Sequence, residues 1–239
     1  MNLSSLKARA LEKAAEYCLS TDARAVKRER LTYLSARKLR RLESALTDVV
    51  RKGVPGDIVE FGVALGGSAV LLAKHASPRR RFYGLDVFSM IPAPTSEKDD
   101  AVSKERYRTI AAGMSGGIGG DPYYGYRTDL YGHVSDQLKR HGTPVDNQRI
   151  YLVKGLFEKT LPSLGITDIA FAHVDCDWYD PVRFCLDAVA KKLSRNGLIV
   201  IDDYHDYKGC RRAVDEFLAA NADYAVLPGV NPILRRRAA

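Results

Sequence analysis

The sequence predicts an α/β fold in which helices cover both faces of a mostly parallel β-sheet. Short apolar runs alternate with helix-like segments from Gly56 onward, and this alternation is typical of strand–helix–strand units. The chain closes on two short β runs joined through Pro228-Gly229, which predicts an antiparallel hairpin at one edge of the sheet. The chain of 239 residues is long enough for a single domain with a full core and a helical extension.

Residues 1–53 form the predicted N-terminal helical extension, and residues 54–239 form the core. Apolar side chains recur in the extension at steps of three to five residues, close to the spacing of one helical face: Leu31, Leu34, Leu39, Leu42, Leu46 and Val49. Gly53 and Pro55-Gly56 end this segment because both residue types interrupt helices.

The core contributes seven predicted strands. Five parallel strands are expected at 57–62, 81–86, 149–154, 169–175 and 198–202, and the closing hairpin at 224–227 and 232–235. Helices are expected at 68–75, 181–194 and 209–220, with Asn196-Gly197 stopping the second of them. Helices between parallel strands cover both faces of the sheet.

Residues 89–131 do not fit this alternation. The segment is rich in proline, glycine and tyrosine, and it contains the glycine run between Gly116 and Gly120. A long irregular insertion in a compact domain is typical of a lid over a functional site or of disorder. We expect a lid, in which Tyr123, Tyr124 and Tyr126 stack against a substrate.

Composition favours a soluble, cytoplasmic protein. Hydrophobic residues make up 46% and charged residues 28% of the chain, as in ordinary globular domains. No apolar run approaches the roughly 20 residues of a membrane span, and the N-terminus lacks the apolar stretch of a secretory signal. The four cysteines are widely spaced, which favours reduced thiols.

The net charge of +8 raises the alternative of a non-enzymatic, basic nucleic-acid-binding module. Much of the charge lies in three clusters, at 27–41, 79–81 and 235–237. Because basic and apolar residues are interleaved in the first cluster, we interpret it as the solvated face of a helix. We therefore expect a small anionic cofactor or substrate rather than nucleic acid or membrane as the partner.

A glycine-rich turn follows the first predicted strand, in the pattern Glu60-x-Gly62-x-x-x-Gly66-Gly67-Ser68. Glycines let the backbone approach a ligand closely, and the next helix offers free N–H groups. The spacing differs from the dinucleotide pattern G-x-G-x-x-G, which disfavours a nicotinamide oxidoreductase and favours S-adenosylmethionine. Asp86 ends the second predicted strand, where an acid can bind both hydroxyls of a ribose.

Four aspartates follow two predicted neighbouring strands: Asp175, Asp177, Asp202 and Asp203. Ligands of open α/β sheets bind at the carboxyl ends of strands. Converging carboxylates repel one another, and a hard cation such as Mg²⁺ relieves that repulsion. The pattern favours a metal or catalytic site over helix caps. We expect His173 to be structural, whereas His205 is a candidate base or neighbour of the site.

Taken together, these residues resemble the macrocin O-methyltransferase family of sugar-modifying enzymes, over about residues 56–237. The resemblance depends on these stretches: Val59-Glu-Phe-Gly-Val-Ala-Leu-Gly-Gly67, Asp86-Val-Phe-Ser-Met-Ile-Pro92, Gly155-Leu-Phe-Glu-Lys-Thr-Leu-Pro162, Asp175-Cys-Asp-Trp-Tyr179, Ile201-Asp-Asp-Tyr204 and Cys210-Arg-Arg-Ala-Val214. It implies a class I methyltransferase (Rossmann-like) fold that binds S-adenosylmethionine and Mg²⁺ and methylates a sugar hydroxyl.

The resemblance also implies roles for single residues. Asp175, Asp202 and Asp203 match the metal ligands, and Asp177 matches the proposed general base. Glu60 and Gly62 fall in the cofactor loop, and Asp86 matches the ribose-binding acid.

The sequence departs from the family pattern at Cys176, Trp178 and His205 and in the insertion after Asp86, all on the acceptor side. Several alternatives therefore stay open. The acceptor is an antibiotic glycoside, an oligosaccharide or polysaccharide intermediate such as a mannoside, or the phenolic diol of a catechol-type enzyme. The extension makes a homodimer plausible, because amphipathic helices often pack against a second subunit.

Overall fold

The computed structural model describes residues 3–237. The described residues form nine α-helices: α1 (Leu3–Tyr17), α2 (Thr21–Arg28), α3 (Ala36–Arg51), α4 (Gly67–Ala73), α5 (Ala101–Ala111), α6 (Leu130–Arg140), α7 (Phe157–Thr160), α8 (Tyr179–Ala190) and α9 (Lys208–Ala220). They also form seven strands: β1 (Asp57–Phe61), β2 (Phe82–Asp86), β3 (Ile150–Lys154), β4 (Ile169–Val174), β5 (Leu193–Ile201), β6 (Tyr224–Leu227) and β7 (Ile233–Arg236).

The seven strands form one mixed sheet in the order β3-β2-β1-β4-β5-β7-β6. Strands β1 to β5 run parallel, whereas β7 is antiparallel to both β5 and β6. The predicted α/β class, with a mostly parallel sheet and an antiparallel closing hairpin, is confirmed. The strand order reverses at β1, which lies between β2 and β4, and a crevice for a ligand opens at such a reversal.

Helices cover both faces of the sheet and form two apolar clusters. On one face, Leu42 of α3 belongs to the cluster that contains Ile58 of β1. On the other, Phe217 of α9 belongs to the cluster that contains Phe61. Because β2 and β4 are buried along their whole length, their sequences are nearly continuous apolar runs. Among the described helices, none is both long enough and apolar enough to cross a membrane.

The start of β5 differs from the prediction. Asn196-Gly197 lies within this strand and does not stop a helix, because α8 already ends at Ala190. Asn196 has a φ of 62°, and the pairing of β5 with β4 shifts register between Ile169 and Phe171. The residues read as a helix stop are therefore part of a local irregularity in the strand, where asparagine tolerates the left-handed conformation.

The predicted helical face of the extension is also shorter than expected. Leu31 and Leu34 lie before α3, which begins after Ser35 caps it by accepting a hydrogen bond from the Lys38 N–H at 3.2 Å. Both leucines remain buried. Their spacing matched a helix although they pack as part of a connecting loop.

The insertion at 89–131, called the lid segment below, is structured. It contains α5, whose N-cap Asp100 accepts a hydrogen bond from the Ser103 N–H at 3.0 Å. Two short 3₁₀ turns follow at Ile118–Gly120 and Tyr124–Tyr126. The segment then leads into α6, a helix that the sequence analysis did not predict.

Candidate active site

The turn after β1 forms one wall of the site. Gly62 has a φ of 90°, and a Cβ atom built on it would lie 1.8 Å from the carbonyl oxygen of Asp175. No residue with a side chain fits this position without moving the backbone at Asp175, just after the neighbouring strand β4. The turn therefore brings the end of β1 directly against the loop that follows β4.

Asp86, the last residue of β2, holds this turn in place. Its Oδ2 accepts hydrogen bonds from the N–H groups of Val63 at 2.8 Å and Ala64 at 3.1 Å, and its Oδ1 accepts one from Phe88 at 2.7 Å. Burial raises the pKa of this carboxyl group, while the three N–H donors oppose that rise. Asp86 thus lines the cavity and fixes the backbone of its glycine-rich wall.

The three predicted metal ligands converge at the ends of two neighbouring strands. Asp175 follows β4, and Asp202 and Asp203 follow β5, whose last residue Ile201 pairs with Val174. One carboxylate oxygen from each of the three acids lies within 4.8 Å of the others. Loss of hydration and the neighbouring acids raise the pKa of both Asp175 and Asp203 well above the ordinary range, as expected for carboxylates crowded together.

Lys38 of α3 reaches into this acid cluster. Its Nζ donates hydrogen bonds to Asp202 Oδ2 at 2.8 Å, to the Asp202 carbonyl oxygen at 3.1 Å and to Asp206 Oδ2 at 2.7 Å. The other oxygen of Asp202, Oδ1, is buried and has no hydrogen-bond partner among the described residues. The extension therefore supplies a positive charge to one side of the cluster and leaves one carboxylate oxygen free.

These residues fit a hard divalent cation. The donor set consists of three carboxylates, and Mg²⁺ prefers oxygen ligands of this kind. The buried, unpartnered Oδ1 of Asp202 carries a desolvation cost that a cation would remove. Burial and, after it, the neighbouring acids raise the pKa values of Asp175 and Asp203, and a cation among these carboxylates would offset both causes.

Asp177 lies beside this group in an unusual backbone conformation. Its φ is 60°, a region that residues other than glycine rarely occupy. Its N–H donates a hydrogen bond to Asp203 Oδ2 at 3.0 Å, and burial raises the pKa of its carboxyl group to about 6. Asp177 lines the same cavity as the three predicted ligands.

The remaining predicted residues fall into two groups. Ser68 lines the cavity with Gly62 and Asp86, whereas Gly66 lies behind it as the N-cap of α4, with a φ of 90°. Glu60 is fully buried and is not among the residues that line the cavity. Its Oε1 lies 3.0 Å from Nδ1 of His173, so this pair joins β1 to β4 and His173 is structural, as expected.

His205 does not reach the cavity. Its side chain is exposed, and its Nε2 lies 2.9 Å from the carbonyl oxygen of Gly229. The short 3₁₀ turn at Asp203–His205 keeps Asp203 in the site and turns the histidine toward the closing hairpin. The structure thus separates the two candidate bases and brings only Asp177 to the acids.

The lid segment closes the other side of the cavity through two hydrogen bonds. Trp178 donates its Nε1–H to the carbonyl oxygen of Pro92 at 2.9 Å, and Asp99 Oδ1 accepts the N–H of Tyr179 at 2.9 Å. The cavity has a volume of about 490 Å³. The side chains that line it from the lid segment and the loop before α9 include Arg106, Tyr123, Tyr124 and Tyr207.

Sequence reasoning missed Lys38 and Arg106 and overestimated Tyr126. Lys38 belongs to a basic run that the sequence analysis interpreted as solvated. Its partner Asp202 is 164 residues away, so the local sequence gives no sign of the pair. The Tyr126 hydroxyl donates instead to the carbonyl oxygen of Ile110 at 2.6 Å and so stabilises the lid internally. Only a long-range contact, invisible in local periodicity, distinguishes Lys38 from its solvated neighbours.

Solved structures share this architecture. The O-methyltransferase NovP matches with a TM-score of 0.70 and 22% identity, over 87% of this chain and 83% of that one. An SAH-bound methyltransferase from Podospora anserina matches with a TM-score of 0.63 and 16% identity, over 100% and 98% of the two chains. The fold, with its glycine turn and the acid at the end of β2, is that of a class I, S-adenosylmethionine-dependent methyltransferase.

The chain belongs to the macrocin-O-methyltransferase (TylF) family, whose model matches residues 3–115 and 130–227. The demethyldecarbamoylnovobiocin O-methyltransferase of Streptomyces niveus is 26% identical over 194 residues, covering 79% of this chain and 68% of that protein. The 8-demethyl-8-(2,3-dimethoxy-alpha-L-rhamnosyl)-tetracenomycin-C 4'-O-methyltransferase of Streptomyces olivaceus is 28% identical, covering 74% and 67%. The protein is therefore an O-methyltransferase.

Proposed function

We propose that this enzyme transfers the methyl group of S-adenosylmethionine to a sugar hydroxyl and that Asp175, Asp202 and Asp203 hold a divalent cation such as Mg²⁺. One observation carries the proposal: the three carboxylates meet in the cavity that is also lined by the Gly62 turn and Asp86. One of the relatives supports the acceptor class, because the enzyme of Streptomyces olivaceus is named for a rhamnosyl substrate.

For the cofactor, we propose that Gly62, Ser68 and Asp86 form the binding wall. Asp86 accepts three backbone hydrogen bonds, and a carboxylate offers about four acceptor positions. Capacity therefore remains for a ribose hydroxyl. Because the same hydrogen bonds fix the turn, the wall is preorganised before the cofactor arrives, which lowers the entropic cost of binding.

For the chemistry, the sulfonium methyl group is already activated, so the protein must hold a hydroxyl oxygen in line with it and remove a proton. A divalent cation at the three carboxylates supplies positive charge that lowers the pKa of a nearby hydroxyl and helps to position it. Asp177, held by its hydrogen bond to Asp203, accepts the proton. Lys38 holds Asp202 on the side away from its free oxygen.

For the acceptor, we propose that Tyr123 and Tyr124 of the lid segment contact the sugar ring, since aromatic faces suit the apolar faces of sugars. The two rings lie 4.3 Å apart between centroids. Both belong to residues 116–129, the stretch left out of the family match. This supports an acceptor specific to this chain, while a phenolic diol remains the rival acceptor that the test below addresses.

The test is transfer of labelled methyl groups to a panel of glycosides and a panel of catechols, with Mg²⁺, with a chelator and after metal is restored. We expect glycoside methylation that chelation abolishes and Mg²⁺ restores. Undiminished activity under chelation would end the metal proposal, and a preference for catechols would overturn the sugar acceptor.

Asp177→Asn tests the proposed base. Asparagine tolerates the left-handed φ of 60°, so the fold should persist while proton removal is lost, and we expect activity to fall about 10²- to 10⁴-fold. His205→Asn is the matched control, because His205 lies outside the cavity, and it should retain nearly full activity. A greater loss in the control than in Asp177→Asn would reverse the assignment.

A further inference from the structure

A second cavity, of about 240 Å³, lies between the loop after α2, the lid segment and α6. It is distinct from the candidate active site, and Leu31 is the residue that lines both. Five side chains give it its chemistry: Arg30, Arg127, Arg140, His133 and Gln137. Four lining residues between Ile118 and Arg127 fall in the stretch absent from the family match, so this cavity is built partly from what is particular to this chain.

Helix α6 presents a polar face to this cavity. His133, Gln137 and Arg140 are spaced by four and then three residues, which places them on one side of a helix. Gln137 is only 3% exposed, and its Oε1 is buried without a hydrogen-bond partner in the described structure. A buried amide group that lacks a partner costs free energy, so a polar ligand that hydrogen-bonds the Gln137 amide would stabilise this position.

The arginines around the cavity lack carboxylate partners. Within residues 3–237, none of Arg30, Arg127 and Arg140 forms an ion pair, and the buried Nε of Arg127 has no hydrogen-bond acceptor. Burial, together with the charges of Arg127 and Arg140, lowers the pKa of His133. The imidazole therefore experiences a positive potential inside the cavity.

Two acids, Glu29 and Asp121, also line the cavity, and within the described residues neither forms an ion pair with Arg30, Arg127 or Arg140. Asp121 is exposed. The Glu29 carboxylate lies 3.2 Å from Nε2 of His141 and 3.8 Å from a guanidinium nitrogen of Arg28. The three arginines outnumber these two acids, so the residues that line the cavity carry an excess of positive charge.

We infer that this cavity is a binding site for a phosphate or a similar oxyanion. Guanidinium groups match the oxygens of phosphate with paired, charge-assisted hydrogen bonds. If the oxygen and nitrogen of the Gln137 amide exchange places, which the 3.4 Å separation of its Nε2 from His133 Nε2 permits, Oε1 can accept from the imidazole. The NH₂ group then faces the cavity as a further donor.

Such an anion links three parts of the chain. Arg30 comes from the N-terminal extension and already donates to the Gly119 carbonyl oxygen of the lid segment at 3.1 Å. Arg127 lies near the end of the lid segment, and Arg140 is the last residue of α6. An oxyanion shared by these guanidinium groups fastens the lid segment to the extension. The phosphate is either a free ion or a group carried by a sugar or nucleotide.

The test is calorimetric titration of the full chain with inorganic phosphate, with a sugar phosphate and with the parent sugar, in chloride buffer. We expect one phosphate-dependent site, and at least tenfold weaker affinity in Arg127→Gln and in Arg140→Gln, a loss of about 1.4 kcal/mol. Arg195→Gln, at an exposed arginine remote in sequence on β5, is the matched control and should bind as the unaltered protein does. Binding of S-adenosylmethionine, expected unchanged, verifies that the variants are folded.

The two sources of phosphate give different results. Equal affinity for inorganic phosphate and the sugar phosphate identifies a free ion as the ligand. Tenfold tighter binding of the sugar phosphate identifies a carried group. The absence of phosphate binding, or equal affinity in Arg127→Gln, Arg140→Gln and Arg195→Gln, would overturn the inference without affecting the proposed methyl transfer.

Discussion

The strand-end acids and the lid segment face the same cavity but are held in place by different means. Asp175 and Asp202 continue from β4 and β5, whose backbones are hydrogen-bonded in register up to Val174 and Ile201. The lid segment meets the same loop through single side-chain hydrogen bonds, such as that from Trp178 to Pro92. The side of the cavity that carries the acids is therefore fixed by the sheet, and the side formed by the lid segment is held by a few side-chain hydrogen bonds.

This difference shows how one fold can keep its chemistry while its acceptor side changes. A backbone ladder opens only when a large part of the sheet opens with it, whereas a segment with few buried contacts can open locally at lower free energy. The family match omits residues 116–129 of the lid segment and includes every predicted metal ligand. The stretch in which this chain departs from the family model thus lies where replacement disturbs the sheet least.

The largest expected effect comes from Gly62→Ala, which disrupts the sheet side of the cavity. The added Cβ would lie 1.8 Å from the Asp175 carbonyl oxygen at a φ of 90°, so the backbone must move. We expect urea denaturation to show a loss of at least about 3 kcal/mol in the free energy of unfolding. Gly53→Ala, with a φ of 64° and no atom within 4 Å of the new Cβ, should lose only about 1 kcal/mol. Equal losses would contradict a steric cause.

The next effect concerns Lys38, which joins the extension to the acids. Lys38→Met removes the ammonium group that pairs with the Asp202 carboxylate, which is only 8% exposed. In the presence of a chelator, which keeps a metal ion from replacing that charge, we expect the free energy of unfolding to fall by about 2–3 kcal/mol. Lys52→Met removes the exposed pair with Asp48 and should cost less than about 0.5 kcal/mol. If both variants lose the same free energy of unfolding, Lys38 of the extension does not stabilise the site.

The two regions also differ in how far the sequence predicts them. The apolar runs of β4 and β5 end directly in aspartates, and parallel strands bring such ends together, so the convergence of Asp175 and Asp202 follows from local pattern alone. Helix α6 escaped prediction although Asp129 caps it and buried Leu130, Val134 and Leu138 show helical spacing. The glycines and prolines before α6 masked the point at which the apolar residues begin to recur at helical spacing.

Side-chain direction is what the sequence could not supply. His205 lies two residues after Asp203 in sequence, yet a single 3₁₀ turn directs it to Gly229. Lys38 looks like a solvated helical lysine and reaches Asp202 only because α3 packs on the sheet beside β5. Both outcomes depend on tertiary contacts that leave no local periodicity, as expected where packing overrides local preference.

The smallest expected effect comes from removing one helix N-cap from the lid segment and, for comparison, one from the extension. Asp100 caps α5 in the lid segment, and Ser35 caps α3 in the extension; replacement of either by alanine should cost about 1 kcal/mol. Because α5 can open by itself, Asp100→Ala should speed hydrogen exchange mainly in residues 101–111, by about fivefold. Ser35→Ala affects a helix packed on the sheet, so exchange should also quicken in the slowest amides of β1 and β4, which open only with the whole domain. If Asp100→Ala quickens those sheet amides equally, the lid segment does not open independently, and the contrast between the two halves of the cavity fails.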